Sequence, residues 1–201
     1  MKRKTCLHFL FLSLVFTSFA MAASGDYKTF HQQQKEKMKA HYSQQTAEKK
    51  AFYKSVNGLP YQQKFKTIAD YHEKNFQENM TFRRQMHQED MDSLKQADDK
   101  NSKLTEEQKQ NWLNFQNSQF ADTVKFLEEQ HQKDDGFYRS LADTAGLTPR
   151  QIKEKLKAHR SEQKTARNNF YQTRKTSTKT KWKELHPAAK KDKKQKKENK
   201  T

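Results

Sequence analysis

Residues 61–96 read YQQKFKTIADYHEKNFQENMTFRRQMHQEDMDSLKQ, thirty-six positions without a glycine or a proline. Phe65, Ile68, His72, Phe76, Met80 and Leu94 recur along it at three- and four-residue steps, with some gaps. That spacing puts one narrow apolar stripe on a helix whose other faces are Gln, Lys, Glu and Arg. The same residue economy holds outward from this stretch. Beyond residue 22 the chain has two valines, Val56 and Val124, and two isoleucines, Ile68 and Ile152. A sheet core recruits β-branched residues and has almost nothing to build with here, whereas strong helix formers dominate.

Breakers place the remaining helices. One is predicted from about Asp26 to Asn57, closing on Gly58 as a left-handed C-terminal residue. Residues 61–96 form the second, with Pro60 at its start and a polar turn at Asp98-Asp99-Lys100-Asn101-Ser102 after it. The third opens at Thr105 and reaches about Thr144, stopping at Gly146, with a kink or break expected at Gly136. A fourth opens at Thr148 and fades before His186-Pro187. Each rod would be roughly 45–60 Å long at about 1.5 Å per residue. The fold class read from this is all-α, four long antiparallel helices as hairpins, a bundle or a cradle, followed by a disordered basic C-terminal tail. Stripes this narrow need neighbouring helices or a second subunit to bury enough surface, so a homodimer is an open expectation.

Charge and the first residues speak to location. The chain carries 41 Lys and Arg against 24 Asp and Glu, a formal +17. Met1-Lys2-Arg3-Lys4 followed by a mostly apolar run from Leu7 to Phe19 and then Ala20-Met21-Ala22 is the pattern of a cleavable signal peptide over residues 1–22. The apolar run is too short for a spanning anchor, which takes roughly 20 residues. Processing after Ala22 removes three basic residues, giving 17 − 3 = +14, and also removes Cys6, the one cysteine. A periplasmic or secreted product held by packing alone is expected, with a long-helix domain over 23–186 and a polylysine tail over 187–201.

The chain also matches itself at an interval of about 44 residues. Tyr71, Phe76, Met80, Phe82, His87 and Asp90 correspond to Phe115, Phe120, Val124, Phe126, His131 and Asp134. Leu104-Thr105-Glu106-Glu107-Gln108 and Leu147-Thr148-Pro149-Arg150-Gln151 share the pattern Leu-Thr-x-x-Gln. Physics accounts for it as a capping box, in which threonine accepts from the backbone three residues on and glutamine reaches back. Pro149 then falls at the first helical position, where it loses no hydrogen bond.

Two such motifs in a small, exported, charged, all-helical chain resemble the Spy/CpxP family of periplasmic stress proteins, with Leu104, Thr105, Gln108, Leu147, Thr148 and Gln151 carrying the likeness. The first junction departs from it, with Pro60 where the motif has threonine. The resemblance implies a long-helix, cradle-shaped dimer that binds unfolded envelope proteins without ATP. It also implies induction by envelope stress, and related members are implicated in metal resistance.

Three sets of residues are candidates for function. Phe52-Tyr53, Phe137-Tyr138 and Phe170-Tyr171 are adjacent rings about 100° apart on a helix, so they either share a wide core seam or place one ring of each pair outside for loose binding of unfolded clients. Lys190, Lys191, Lys193, Lys194, Lys196, Lys197 and Lys200 make a tail that solubilises the chain or tethers it to nucleic acid, anionic lipid or lipopolysaccharide. His87 with Asp90, and His131 with Asp134 or Asp135, are weak candidates for zinc or copper, each a helical turn apart. Solvated charged faces explain them more simply, and no His-x-x-x-His pair occurs. There is no glycine-rich phosphate loop, nucleophile elbow or two-histidine metal helix, and no cofactor or small-molecule substrate is expected. The sequence therefore reads as a non-enzymatic, ATP-independent envelope chaperone or stress protein, with a secreted polycation binding nucleic acid or anionic envelope polymers as the alternative.

Overall fold

The computed structural model describes residues 25–96 and 105–185, with side chains from residue 29 onward. The expected signal peptide, the turn at 98–102, Leu104, and the lysine tail lie outside the described residues. Four helices make up nearly everything else: α1 Gly25–Ser55, α2 Tyr61–Gln96, α3 Glu106–Asp143 and α4 Pro149–Leu185.

Cross-helix bonds fix the directions. His41 of α1 meets Asn79 of α2 and Tyr53 meets His72, so α1 and α2 run antiparallel. His87 with Asn117 and His131 with Glu73 do the same for α2 and α3. His159 with Asp134 and Arg174 with Gln119 do so for α3 and α4. One cavity takes its lining from all four, including Met38, Met80, Phe120 and Arg174, so the helices surround a common interior.

Two corrections concern glycine. α3 passes through Gly136 without a break, since a lone glycine inside an otherwise strong helix weakens it by only about 1 kcal/mol. Gly58 does not adopt a left-handed conformation; among the described residues only Gly146 does, at φ 77°. The α1–α2 turn is closed instead by overlapping backbone bonds, Val56 N–H to Phe52 O and Leu59 N–H to Val56 O. Beyond Asp143, Thr144 caps α3 by donating its N–H to Ser140 O.

The apolar core gathers where those two turns meet. Val56, Phe65, Ile68, Ala69, Tyr138, Leu141 and Ile152 are buried together there, with Leu59, Leu147 and Leu156 against them. At the opposite end Trp112, Leu113, Met91 and Leu185 are buried, and Trp112 meets Trp182 edge-on at 5.8 Å. The long middle of the bundle is packed differently, with rings lying flat on rings across each interface.

These ring stacks obey one period. On α1 and α2, His41 lies on Phe82 and Phe52 on Tyr71, at 3.9 and 3.8 Å between centroids. On α2 and α3, Phe76 lies on His131 and Phe120 on His87, at 4.1 and 4.0 Å. On α3 and α4, Phe126 lies on Phe170 and Phe137 on His159, at 4.1 and 3.9 Å. Within each interface the two stacks are 11 residues apart along both helices: 41 to 52 against 82 to 71, 76 to 87 against 131 to 120, 126 to 137 against 170 to 159. Eleven residues make about three turns at roughly 3.67 per turn, so side chains at that spacing keep one heading with a slight right-handed drift. The 44-residue interval in the sequence is four such elevens.

Candidate functional site

Four of the six stacks carry a second contact of one design. His41 Nε2 meets Asn79 Oδ1 at 3.2 Å, and His87 Nε2 meets Asn117 Oδ1 at 2.9 Å. His131 Nε2 meets Glu73 Oε2 at 2.6 Å, and His159 Nε2 meets Asp134 Oδ1 at 2.6 Å. In each case the acceptor stands three residues before the phenylalanine under the imidazole: Asn79 and Phe82, Asn117 and Phe120, Glu73 and Phe76, Asp134 and Phe137. Residues three apart are neighbours on a helix surface. One helix therefore offers a flat ring and an acceptor side by side, and the facing histidine takes both. Two clamps end on amides and two on carboxylates. The Glu73 carboxyl is held below the usual range, chiefly by the bond from His131.

Among the side chains singled out in the sequence, the clamps take up His87, His131, Asp134 and Phe137. His87 and His131 are occupied as described, Asp135 pairs with Arg139 at 2.9 Å, and Asp90 is buried apart from them. Among the described residues no three of His, Cys, Asp and Glu gather as a metal-holding group. Of the candidate client-binding rings, Phe52, Phe137 and Phe170 lie in stacks. Tyr53 bonds His72 Nε2 at 3.0 Å, and burial raises its phenol while lowering the His72 imidazole to about 4. Tyr138 is buried, 8% exposed, and Tyr171 is half-buried. Among the described large hydrophobic residues only Tyr61 is widely exposed, at 46%.

The two motif junctions are helix starts. At α3, Gln108 N–H donates to Thr105 Oγ1 at 3.2 Å and Thr105 N–H to Gln108 Oε1 at 2.9 Å. Gln108 Nε2 also donates to Leu185 O at 3.1 Å, tying this cap to the end of α4. At α4 the same reciprocal bonds join Thr148 and Gln151, and Leu147 packs on the core.

Charge is distributed unevenly over the four helices. α4 carries 12 Lys and Arg against 3 Asp and Glu, and α1 carries 7 against 3. α2 is balanced at 6 against 6, and α3 is acidic at 4 against 8. The α1–α4 half therefore sums to 19 − 6 = +13, and the α2–α3 half to 10 − 14 = −4. Lys153, Lys155, Lys157, Arg160, Lys164, Lys175 and Lys179 of α4 are exposed, as are Lys35, Lys39, Lys50 and Lys54 of α1. Met38 and Tyr42 of α1 line one cavity with Arg174 of α4, so the two basic helices border each other.

Reading the sequence missed the clamps and this lopsidedness. The first could have been found by noticing that 44 divides into elevens and that His41, His87, His131 and His159 each have an acceptor-x-x-Phe on a neighbouring helix. The second needed only a charge count for each helix. No helix among the described residues is long and apolar enough to cross a membrane. No protein-family model matches the chain, and neither a curated protein nor a solved structure matches it.

Proposed function

We propose that this is an exported protein of the cell envelope that binds phosphate-bearing polyanions, such as lipopolysaccharide, anionic lipid surfaces or nucleic acid, along the face made by α1 and α4. The observation that carries the reading is the +13 of that half against −4 on the other. A row of exposed lysines releases counterions from a polyanion and binds it without reading its sequence. Near an anionic membrane each such residue contributes about 1 kcal/mol within a Debye length. The lysine tail adds positive charge by composition alone. A chaperone role in the manner of the Spy/CpxP resemblance would call for exposed rings, and the six candidate rings are stacked, buried or half-buried in the bundle.

The test is charge reversal on one face. Lys153, Lys157, Lys164 and Lys175 of α4 are changed together to Glu, and Lys64, Lys66, Lys74 and Lys125 of α2 and α3 are changed as the control. Binding to polyphosphate is measured against salt. The α4 variant should lose affinity and its log–log salt slope should shrink by about 3, from about 0.7 per contacted phosphate. Equal losses in both variants would count against a dedicated face.

A further inference from the structure

Eleven-residue spacing also organises the polar interior between α1 and α2, and one rung of it is incomplete. Gln34, Gln45 and Val56 follow one another at that spacing, and Ile68, Asn79 and Asp90 do so on the antiparallel neighbour. Val56 and Ile68 lie in the same core cluster. Asn79 donates its Nδ2 to Gln45 Oε1 at 2.9 Å. Continuing by the same step sets Gln34 in register with Asp90, next to the Glu89 carboxylate to which Gln34 donates at 2.6 Å. There Gln34 Oε1 and Asp90 Oδ1 are both buried and neither has a hydrogen-bond partner. Gln34 is 1% exposed and Asp90 7%. Where the neighbouring Gln45–Asn79 rung pairs a donor with an acceptor, this one is left with two acceptor oxygens.

We propose that Asp90 and Gln34 form a proton-operated latch, in which protonated Asp90 donates to Gln34 Oε1 and fastens the first half of α1 to α2. Gln34 is the one fully buried side chain in the described part of α1. The other ties along this stretch are few: Gln34 and Lys37 bond Glu89, and His41 bonds Asn79 and stacks on Phe82. A segment with so little apolar burial opens easily, and one buried bond weighs heavily in how often it does. Release lets water reach Met38, Met80 and Met86, which line the cavity beside Asp90.

The surroundings favour the proton. Burial first, and the neighbouring Glu89 carboxylate second, push the Asp90 carboxyl up to about 7. The titratable groups bordering the same cavity are Tyr42 of α1, Arg83 and His87 of α2 and Arg174 of α4; α3 contributes only groups that do not titrate. Lys37 of α1 is taken up by Glu89 at 2.7 Å, and Arg174 donates to Gln119 Oε1. With the closed form binding its proton more tightly than the open form, closure is favoured as pH falls from about 7 toward about 4.

The experiment is amide hydrogen exchange on the full chain with Asp90→Asn beside it. In the parent, protection of residues 34–41 should rise about tenfold for each unit of acidification between pH 7 and 5. Asp90→Asn copies the Gln45–Asn79 rung, so its protection should not change with pH over that window and should exceed the parent's at pH 8. Carboxyl carbon-13 shifts of the parent give an independent reading, with Asp90 titrating near 7. The latch is overturned by a carboxyl titrating near 4, by protection that does not rise on acidification, or by a slope that persists in Asp90→Asn.

Discussion

His131 of α3 lies flat on Phe76 of α2, with 4.1 Å between centroids and 5° between planes, while its Nε2 meets Glu73 Oε2 at 2.6 Å. Each part needs the other. Stacking fixes the plane in which the imidazole N–H points, and the bond fixes where along the ring it sits. Repeated at His41, His87 and His159, the arrangement sets the antiparallel register of a bundle that has few aliphatic side chains to set it. Such contacts are directional in a way that a greasy seam is not, because a one-residue slip moves the acceptor off the histidine.

Removing a stack should therefore be expensive. Phe76→Ala and Phe137→Ala each delete a ring and loosen the histidine above it. A loss of about 2–4 kcal/mol in urea unfolding is expected for each. Tyr61→Ala, at the most exposed large hydrophobic among the described residues, should lose less than about 1 kcal/mol.

Gly136 should be improvable. It sits inside α3, and an added Cβ would meet nothing within 4 Å. Gly136→Ala should raise stability by about 0.5–1 kcal/mol through helix propensity. Gly146→Ala has equal room but a φ of 77°, so it should lower stability by about 1 kcal/mol. Thermal melts of the two variants should move in opposite directions.

Adjacent carboxyls should give opposite pH signatures. Glu89 is lowered to about 2, first by the bond from Lys37 and then by that from Gln34. Its contribution is present above the unfolded pKa and is lost as pH falls from about 4.5 toward about 2. Asp90 is raised to about 7, so its contribution is complete below about 4 and is lost as pH rises toward about 7. Denaturation of Glu89→Gln should show less acid-side loss than the parent. Asp90→Asn should show less loss between about pH 4 and 7.

The two caps should differ in weight. Thr105→Ala and Thr148→Ala should each destabilise by about 1 kcal/mol. Gln108→Ala should exceed Gln151→Ala, because Gln108 also donates to Leu185 O at the far end of α4. Urea midpoints of the four variants order them directly.

The four rods were legible because their evidence is local: Pro60, Gly146 and Pro149 punctuate a chain with two valines and two isoleucines beyond residue 22. Gly136 misled because a glycine's preference for breaks is small beside the helix formers around it. The aromatic pairs pointed outward as readily as inward because one strand of sequence shows spacing along a helix, never which residue of the next helix stands opposite. Phe52 was open to either reading, and the ring that decides it is Tyr71 of the neighbouring helix. The antiparallel register carries that information, and only the interval of 44, four elevens, hinted at it. Asp90 was singled out beside His87, whereas its unpaired partner in the rung is Gln34, 56 residues away.

The most direct test titrates the chain lacking residues 1–22 with polyphosphate and, separately, with an aggregating unfolded protein, at about 0.1 and about 0.5 M salt. Polyphosphate should bind, weakening by about two orders of magnitude over that range if about four phosphates are contacted. Aggregation should proceed undiminished at the higher salt. Salt-resistant suppression of aggregation together with no polyphosphate binding would contradict a cationic face over a closed, ring-stacked interior.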